Sequence, residues 1–139
     1  MNERQIHLDY HTFSSQYRVR LSEGHTRLLL ENYDYPDGWQ PREAPLFIRY
    51  PDAYPRMQPA IYIPENLHYT QGPVVHRMQC KFDGWKRWCT HHIPWERFEL
   101  VTTDDNIDFM DVVRASLAHP SVRNPLQDPA PKSFLQRIH

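Results

Sequence analysis

The sequence predicts an α+β domain: a four-stranded antiparallel meander, then a long irregular loop, then a C-terminal helix packed on the sheet. Three observations carry this. Polar and apolar residues alternate along Tyr17-Arg18-Val19-Arg20-Leu21, the pattern of a half-buried strand. Two more short apolar runs, residues 46–50 and 60–63, are bounded by prolines. Later, Ile107, Met110, Val113 and Leu117 recur at helical spacing, and Phe109 and Val112 widen the same face.

Taken in order, the stretch before residue 15 is compatible with a short helix. The first strand ends in a tight turn, Ser22-Glu23-Gly24-His25, and Arg27-Leu28-Leu29-Leu30-Glu31-Asn32-Tyr33 is its hairpin partner. Residues 34–45 are loop-like, with Pro36-Asp37-Gly38 as the turn signal. The third and fourth strands, 46–50 and 60–63, are joined by Pro51-Asp52-Ala53-Tyr54-Pro55-Arg56-Met57-Gln58-Pro59, too rich in proline to be regular. Between 64 and 94 neither period is sustained, and loops beyond about 12–15 residues are usually functional. Both cysteines, Cys80 and Cys89, lie there with His76, His91 and His92. Trp95-Glu96-Arg97-Phe98 has the composition of a helical turn. The N-cap candidates Thr102 to Asn106 precede a helix expected at about 106–118. Pro120 and Pro125 end it. The expected division is one domain over 1–128 and a surface tail with a short terminal helix over 129–139.

A chain of 139 residues fits one domain with one core. The formal net charge is −1, from 16 basic and 17 acidic residues, which argues against a partner that is nucleic acid or a membrane surface. No apolar run approaches the roughly 20 residues of a membrane span. The first residues have no apolar signal core, so the expected location is cytoplasmic. Thirteen prolines against four glycines make stiff turns. Two cysteines in a reducing compartment are expected as thiols rather than a disulfide.

The order of these features resembles the ubiquitin-conjugating enzyme fold. Tyr54-Pro55-Arg56-Met57-Gln58-Pro59 is similar to that family's Tyr-Pro and proline-rich element between the third and fourth strands. A cysteine in a long active-site loop, a tryptophan after it, and a helix closed by a proline-punctuated turn follow there. Cys89, Trp95, the helix, and Ala118-His119-Pro120 through Asn124-Pro125-Leu126 stand in those places here. Trp85-Lys86-Arg87-Trp88-Cys89-Thr90-His91 with Trp95 resembles a divergent bacterial branch encoded beside a ubiquitin-like protein, an activating enzyme and an isopeptidase in antiviral defence. The likeness covers roughly residues 12 to 127. The family's His-Pro-Asn tripeptide is absent, and Pro64-Glu65-Asn66-Leu67-His68 stands near its place. The resemblance implies a transferase that carries a ubiquitin-like protein as a thioester on Cys89 and passes it to a target amine. Its implied partners are the ubiquitin-like protein, the activating (adenylating) enzyme and the protein target. It implies no metal and no organic cofactor. Other branches of the fold are non-catalytic binding modules, which is the alternative function.

A thiol suits acyl transfer because a thioester keeps much of its acyl-transfer potential. The thiolate is the nucleophile, and a cationic or basic neighbour assists it. Lys86 and Arg87 precede Cys89, and Thr90, His91 and His92 follow it. Either histidine can act as general base or as a donor to the oxyanion. Adjacent residues of an extended chain face opposite ways, which favours His91. Cys80 is the rival nucleophile; the bland reading of Cys89 is a buried filler beside Trp88. His76, Cys80, Cys89, His91 and His92 also supply the atoms of a zinc site, without the paired knuckle spacing such sites use. No nucleophile-elbow motif and no phosphate-binding glycine loop is present.

Overall fold

The computed structural model describes residues 3–22, 24–90 and 103–121, with the main chain alone over 103–108. It is α+β. Helix α1 (Glu3–Ser14) is followed by strands β1 (Val19–Leu21), β2 (Arg27–Asp34), β3 (Trp39–Gln40), β4 (Glu43–Arg49) and β5 (Ala60–Pro64). Then come β6 (His68–Tyr69), β7 (Arg77–Met78), β8 (Trp85–Trp88) and helix α2 (Thr103–Ala118).

The expected four-strand meander is present as β1, β2, β4 and β5, but the sheet is larger. Its order is β1-β2-β4-β5-β8-β7, six strands, every neighbouring pair antiparallel. The additional hairpin β7–β8 and the small β3–β6 ribbon come partly from the stretch that shows no period in the sequence. The reason is length: strands of two to four residues hold too few alternations to register, and Trp85 and Trp88 are spaced by three. The first helix is present over twelve residues, and α2 starts at Thr103, ahead of the expected 106.

Register divides the sheet into two faces. Leu28, Ile48, Ile61 and Trp88 pair in one row across four strands and are all fully buried against the helices. The next row, Leu29, Phe47, Tyr62 and Arg87, points the other way by the two-residue strand period. On the helix side, α1 contributes Ile6 and Phe13, and α2 contributes Phe109, Met110, Val112, Val113, Ala115 and Leu117. This is the face expected from the helical spacing, with Ile107 outside the described side chains.

Two indoles fasten α2 to the sheet. Trp39 Nε1 donates to the Leu117 carbonyl at 2.8 Å, and Trp88 Nε1 donates to Ser116 Oγ at 3.1 Å. Their rings meet edge to face at 6.0 Å. Buried indole N–H groups need such partners, so both tryptophans are set in position and orientation. The turn before Trp39 requires glycine: Gly38 has φ 99°, and a Cβ there would lie 2.6 Å from the Tyr69 ring.

The proline-rich crossing from 51 to 59 is also anchored. Asp9 of α1 is buried, and its Oδ2 accepts from the Tyr54 hydroxyl at 2.6 Å and the Tyr50 hydroxyl at 3.1 Å. Gln5 Nε2 donates to Oδ1 at 3.3 Å. Multiple donors are what make a buried carboxylate tolerable. The boundary expected at 128 and the tail lie outside the described residues, as do Trp95 and Phe98.

Candidate functional site

The β7–β8 hairpin places the two cysteines at opposite ends. Its turn contains Asp83 and Gly84, with Gly84 at φ 84° and Trp85 N–H bonded to the Phe82 carbonyl at 3.2 Å. Cys80 sits at this turn, half-buried, where its S–H donates to the Trp85 carbonyl at 3.2 Å. Cys89 is four residues further along the strand, roughly 13 Å at about 3.3 Å per residue. A disulfide needs Cα atoms within about 7 Å, and zinc ligands crowd closer still around one ion. The two thiols therefore share neither a disulfide nor a metal. Among the described residues, no group of three or more His, Cys, Asp or Glu is arranged to hold a metal ion.

Cys89 is the first residue past β8 and is 6% exposed. Its N–H donates to the His76 carbonyl at 2.8 Å, which continues the β7–β8 ladder by one residue and sets His76 opposite Cys89. His76 is buried, with its ring 5.6 Å from that of Trp88. Thr90 is buried too, and its hydroxyl donates to Gln58 Oε1 at 2.7 Å. The crossing is thus tied to Asp9 through Tyr54 and to the cysteine segment through Gln58. On the far side of β7, Val75 N–H bonds the Pro120 carbonyl at 3.0 Å and Ser121 Oγ bonds the Pro73 carbonyl at 2.6 Å. The thiol is framed by the strand end, the crossing and the segment leading into β7.

The cationic surroundings expected from sequence are only partly where they were placed. Lys86 is committed elsewhere: its amine donates to Gln79 Oε1 at 2.7 Å and pairs with Glu65 at 3.4 Å. Arg87 lies in register between Tyr62 and Met78. His91 and His92 lie outside the described residues. His76, counted from sequence only among zinc-ligand candidates, is the histidine whose main chain the hairpin pairs with the cysteine, its ring lying against Trp88. Asp83-Gly84 signals the hairpin but not its register: a two-residue loop there would set Met78 opposite Cys89, and the observed four-residue loop, 81–84, sets His76 there instead.

The Asp9 cluster has its own electrostatics. Burial pushes the Tyr54 hydroxyl well above its ordinary range, and the Asp9 charge and hydrogen bond push it further. Tyr50 is raised for the same reasons, burial first. Both phenols therefore stay protonated as donors to the carboxylate, and the crossing stays pinned to α1.

No known protein family, curated protein or solved structure matches this chain.

Proposed function

We propose that this protein is a ubiquitin-conjugating-type acyl carrier with Cys89 as the thioester-forming residue. The observation that supports it most is the placing of Cys89: it directly follows a sheet strand, with its main chain held by His76 and its neighbour Thr90 held by the proline-rich crossing. A nucleophile on a rigid strand end is held in a defined geometry, as covalent catalysis requires. In the first step the thiolate attacks the C-terminal acyl carbon delivered by an activating enzyme. A C–S bond forms, the donor's leaving group departs, and the thiol proton passes to a base. In the second step an amine of the target attacks, a C–N bond forms, the C–S bond breaks, and the amine proton passes to a base. His76 is added to His91 and His92 as a candidate for that base or for an oxyanion donor. The sequence resemblance supports a bacterial antiviral setting and the three protein partners it implies.

The test mixes the protein with its cognate activating enzyme, ubiquitin-like protein and ATP. A thiol-labile adduct is expected, kept in Cys80→Ala and absent in Cys89→Ala. An adduct that survives Cys89→Ala removes the assignment. A second reading, a binding module that scaffolds the same partners, is favoured by the low exposure of Cys89. It predicts no adduct with every component present, and unchanged partner binding when both cysteines are replaced.

A further inference from the structure

The sheet face turned away from the helices carries a feature that the thioester reading does not use. Phe47 and Tyr62 stack at 4.4 Å, Trp85 meets Phe47 at 4.6 Å, and Phe82 folds edge-on over both at 5.5 and 5.2 Å. Cations gather on this cluster. The guanidinium of Arg27 lies 4.6 Å from the Phe82 ring centre, that of Arg49 6.0 Å, and the Lys81 amine 5.5 Å. Beside them an open hollow of about 270 Å³ is lined by Arg20, Leu21, Ser22, Arg27, Leu29, Phe47 and Trp85, with no acidic side chain among them.

Two observations concern charge. Arg27 and Arg49 are direct partners in the β2–β4 register, and like charges placed opposite each other destabilise a sheet. Furthermore, none of Arg27, Arg49, Lys81 and Arg87 takes part in an ion pair among the described residues. By contrast, Arg18 and Arg20 share Glu31, Arg42 and Arg114 share Asp34, and Lys86 has Glu65. Glu31, two residues from Leu29 on the same face, is taken up by Arg18 and Arg20, which leaves these four cations without a carboxylate of their own. Stacking on one aromatic ring offsets part of the repulsion, and an anionic partner would remove the rest.

We infer that this face is a docking surface for an acidic polypeptide segment, with an apolar side chain of that segment in the hollow and its carboxylates on Arg27, Arg49 and Arg87. Single-stranded nucleic acid fits less well. Phe47 and Tyr62 are 6% and 4% exposed, so neither presents an open ring face for base stacking.

The test uses the full chain and a short fluorescein-labelled peptide alternating glutamate with leucine, read by fluorescence anisotropy. Binding is expected to weaken by about tenfold or more in Arg27→Glu and Arg49→Glu, and to weaken as salt is raised from roughly 50 to 300 mM. Arg56→Glu, an exposed substitution on the crossing, should leave it unchanged. Trp85 indole resonances should shift on titration of the unsubstituted protein, which keeps the test valid if a reversed-charge variant fails to fold. The inference is overturned if the peptide does not bind, if a lysine–leucine peptide binds equally well, or if an oligonucleotide binds more tightly through the same arginines.

Discussion

The two faces of the sheet are built from similar residues to different ends. The face toward the helices packs Leu28, Ile48, Ile61 and Trp88 in one row, and among the described residues its buried side-chain polar atoms are matched except Nε of Arg77, the partner of Trp88 in β7. Trp39 and Trp88 bond to α2, the Tyr35 hydroxyl donates to the Pro45 carbonyl at 2.8 Å, and Tyr50 and Tyr54 converge on Asp9. The opposite face has an equally dense aromatic cluster, yet Arg27, Arg49, Lys81 and Arg87 gather there with no ion pair among the described residues, its carboxylate Glu31 being shared by Arg18 and Arg20. Stability alone accounts for the first arrangement. The second sets like charges opposite each other, a cost that the inferred acidic partner would relieve. The comparison also bears on Cys89, the first residue past β8: the indole that fastens α2 is the residue that precedes the thiol.

The sharpest way to break the comparison is to empty one position on each face. Trp88→Ala should lower unfolding free energy by about 3–5 kcal/mol, since it leaves a large cavity and orphans Ser116. Trp85→Ala, half-exposed on the other face, should cost under about 2 kcal/mol. Urea denaturation followed by circular dichroism measures both. Equal losses would mean that the outer cluster is core in all but position.

A pH scan separates the faces next. Burial pushes the Tyr33 hydroxyl from 10.0 up to about 12, with the Arg114 bond and charge pulling the other way. Tyr35, Tyr50 and Tyr54 are raised as well, each chiefly by burial. Above about pH 10 the unfolded chain loses these protons while the folded protein keeps them. The unfolded state then binds fewer protons, so stability is intact below pH 10 and falls as pH rises, by about 1.4 kcal/mol per pH unit for each such hydroxyl. Unfolding midpoints measured between pH 9 and 11 should show this, and Tyr33→Phe should make the fall shallower by one hydroxyl. A flat profile would mean that these phenols ionise without unfolding.

Ser116→Ala comes next in size. It removes the acceptor of the Trp88 N–H and should cost about 1–2 kcal/mol, against almost nothing for the exposed Ser14→Ala on α1. Thermal melts resolve the difference. If Ser116→Ala is silent, α2 is held by apolar contact alone.

How far all this was legible in the sequence follows from element length. The strands that lie within an alternating run, at 17–21, or within apolar runs bounded by turn signals, at 27–33, 46–50 and 60–63, announce themselves, and so does the face of α2. The β7–β8 hairpin does not. Its strands are too short for periodicity, and its one clear signal, Asp83-Gly84, lies inside a stretch that otherwise reads as loop. The site was affected in the same way. Cys89 stands out by type, but His76 becomes its neighbour only through pairing across that turn. Lys86 reads as a cation near the thiol because they are close in sequence, whereas the pleat and the Glu65 pair direct it elsewhere. The Asp9–Tyr54 bond spans 45 residues, and no local pattern encodes a contact of that range.

The smallest expected effect is the most specific to the outer face. Arg49→Gln keeps a polar, hydrogen-bonding end on a shorter side chain and removes one of two charges paired across β2 and β4. Relief of that repulsion should raise stability by about 0.2–0.5 kcal/mol, less any cation–π contribution at the 6.0 Å distance from Phe82. The gain should shrink as salt is added, because the charges are partly solvated and screened. Arg42→Gln, which breaks pairs to Asp34 and Asp37, should give a small loss under the same conditions. Opposite signs for two arginine-to-glutamine changes, read in one set of salt-dependent melts, would place the unbalanced charge on the face opposite the helices. Equal signs would mean that Arg49 is neutralised there without a partner, and the open face would then need no ligand to explain it.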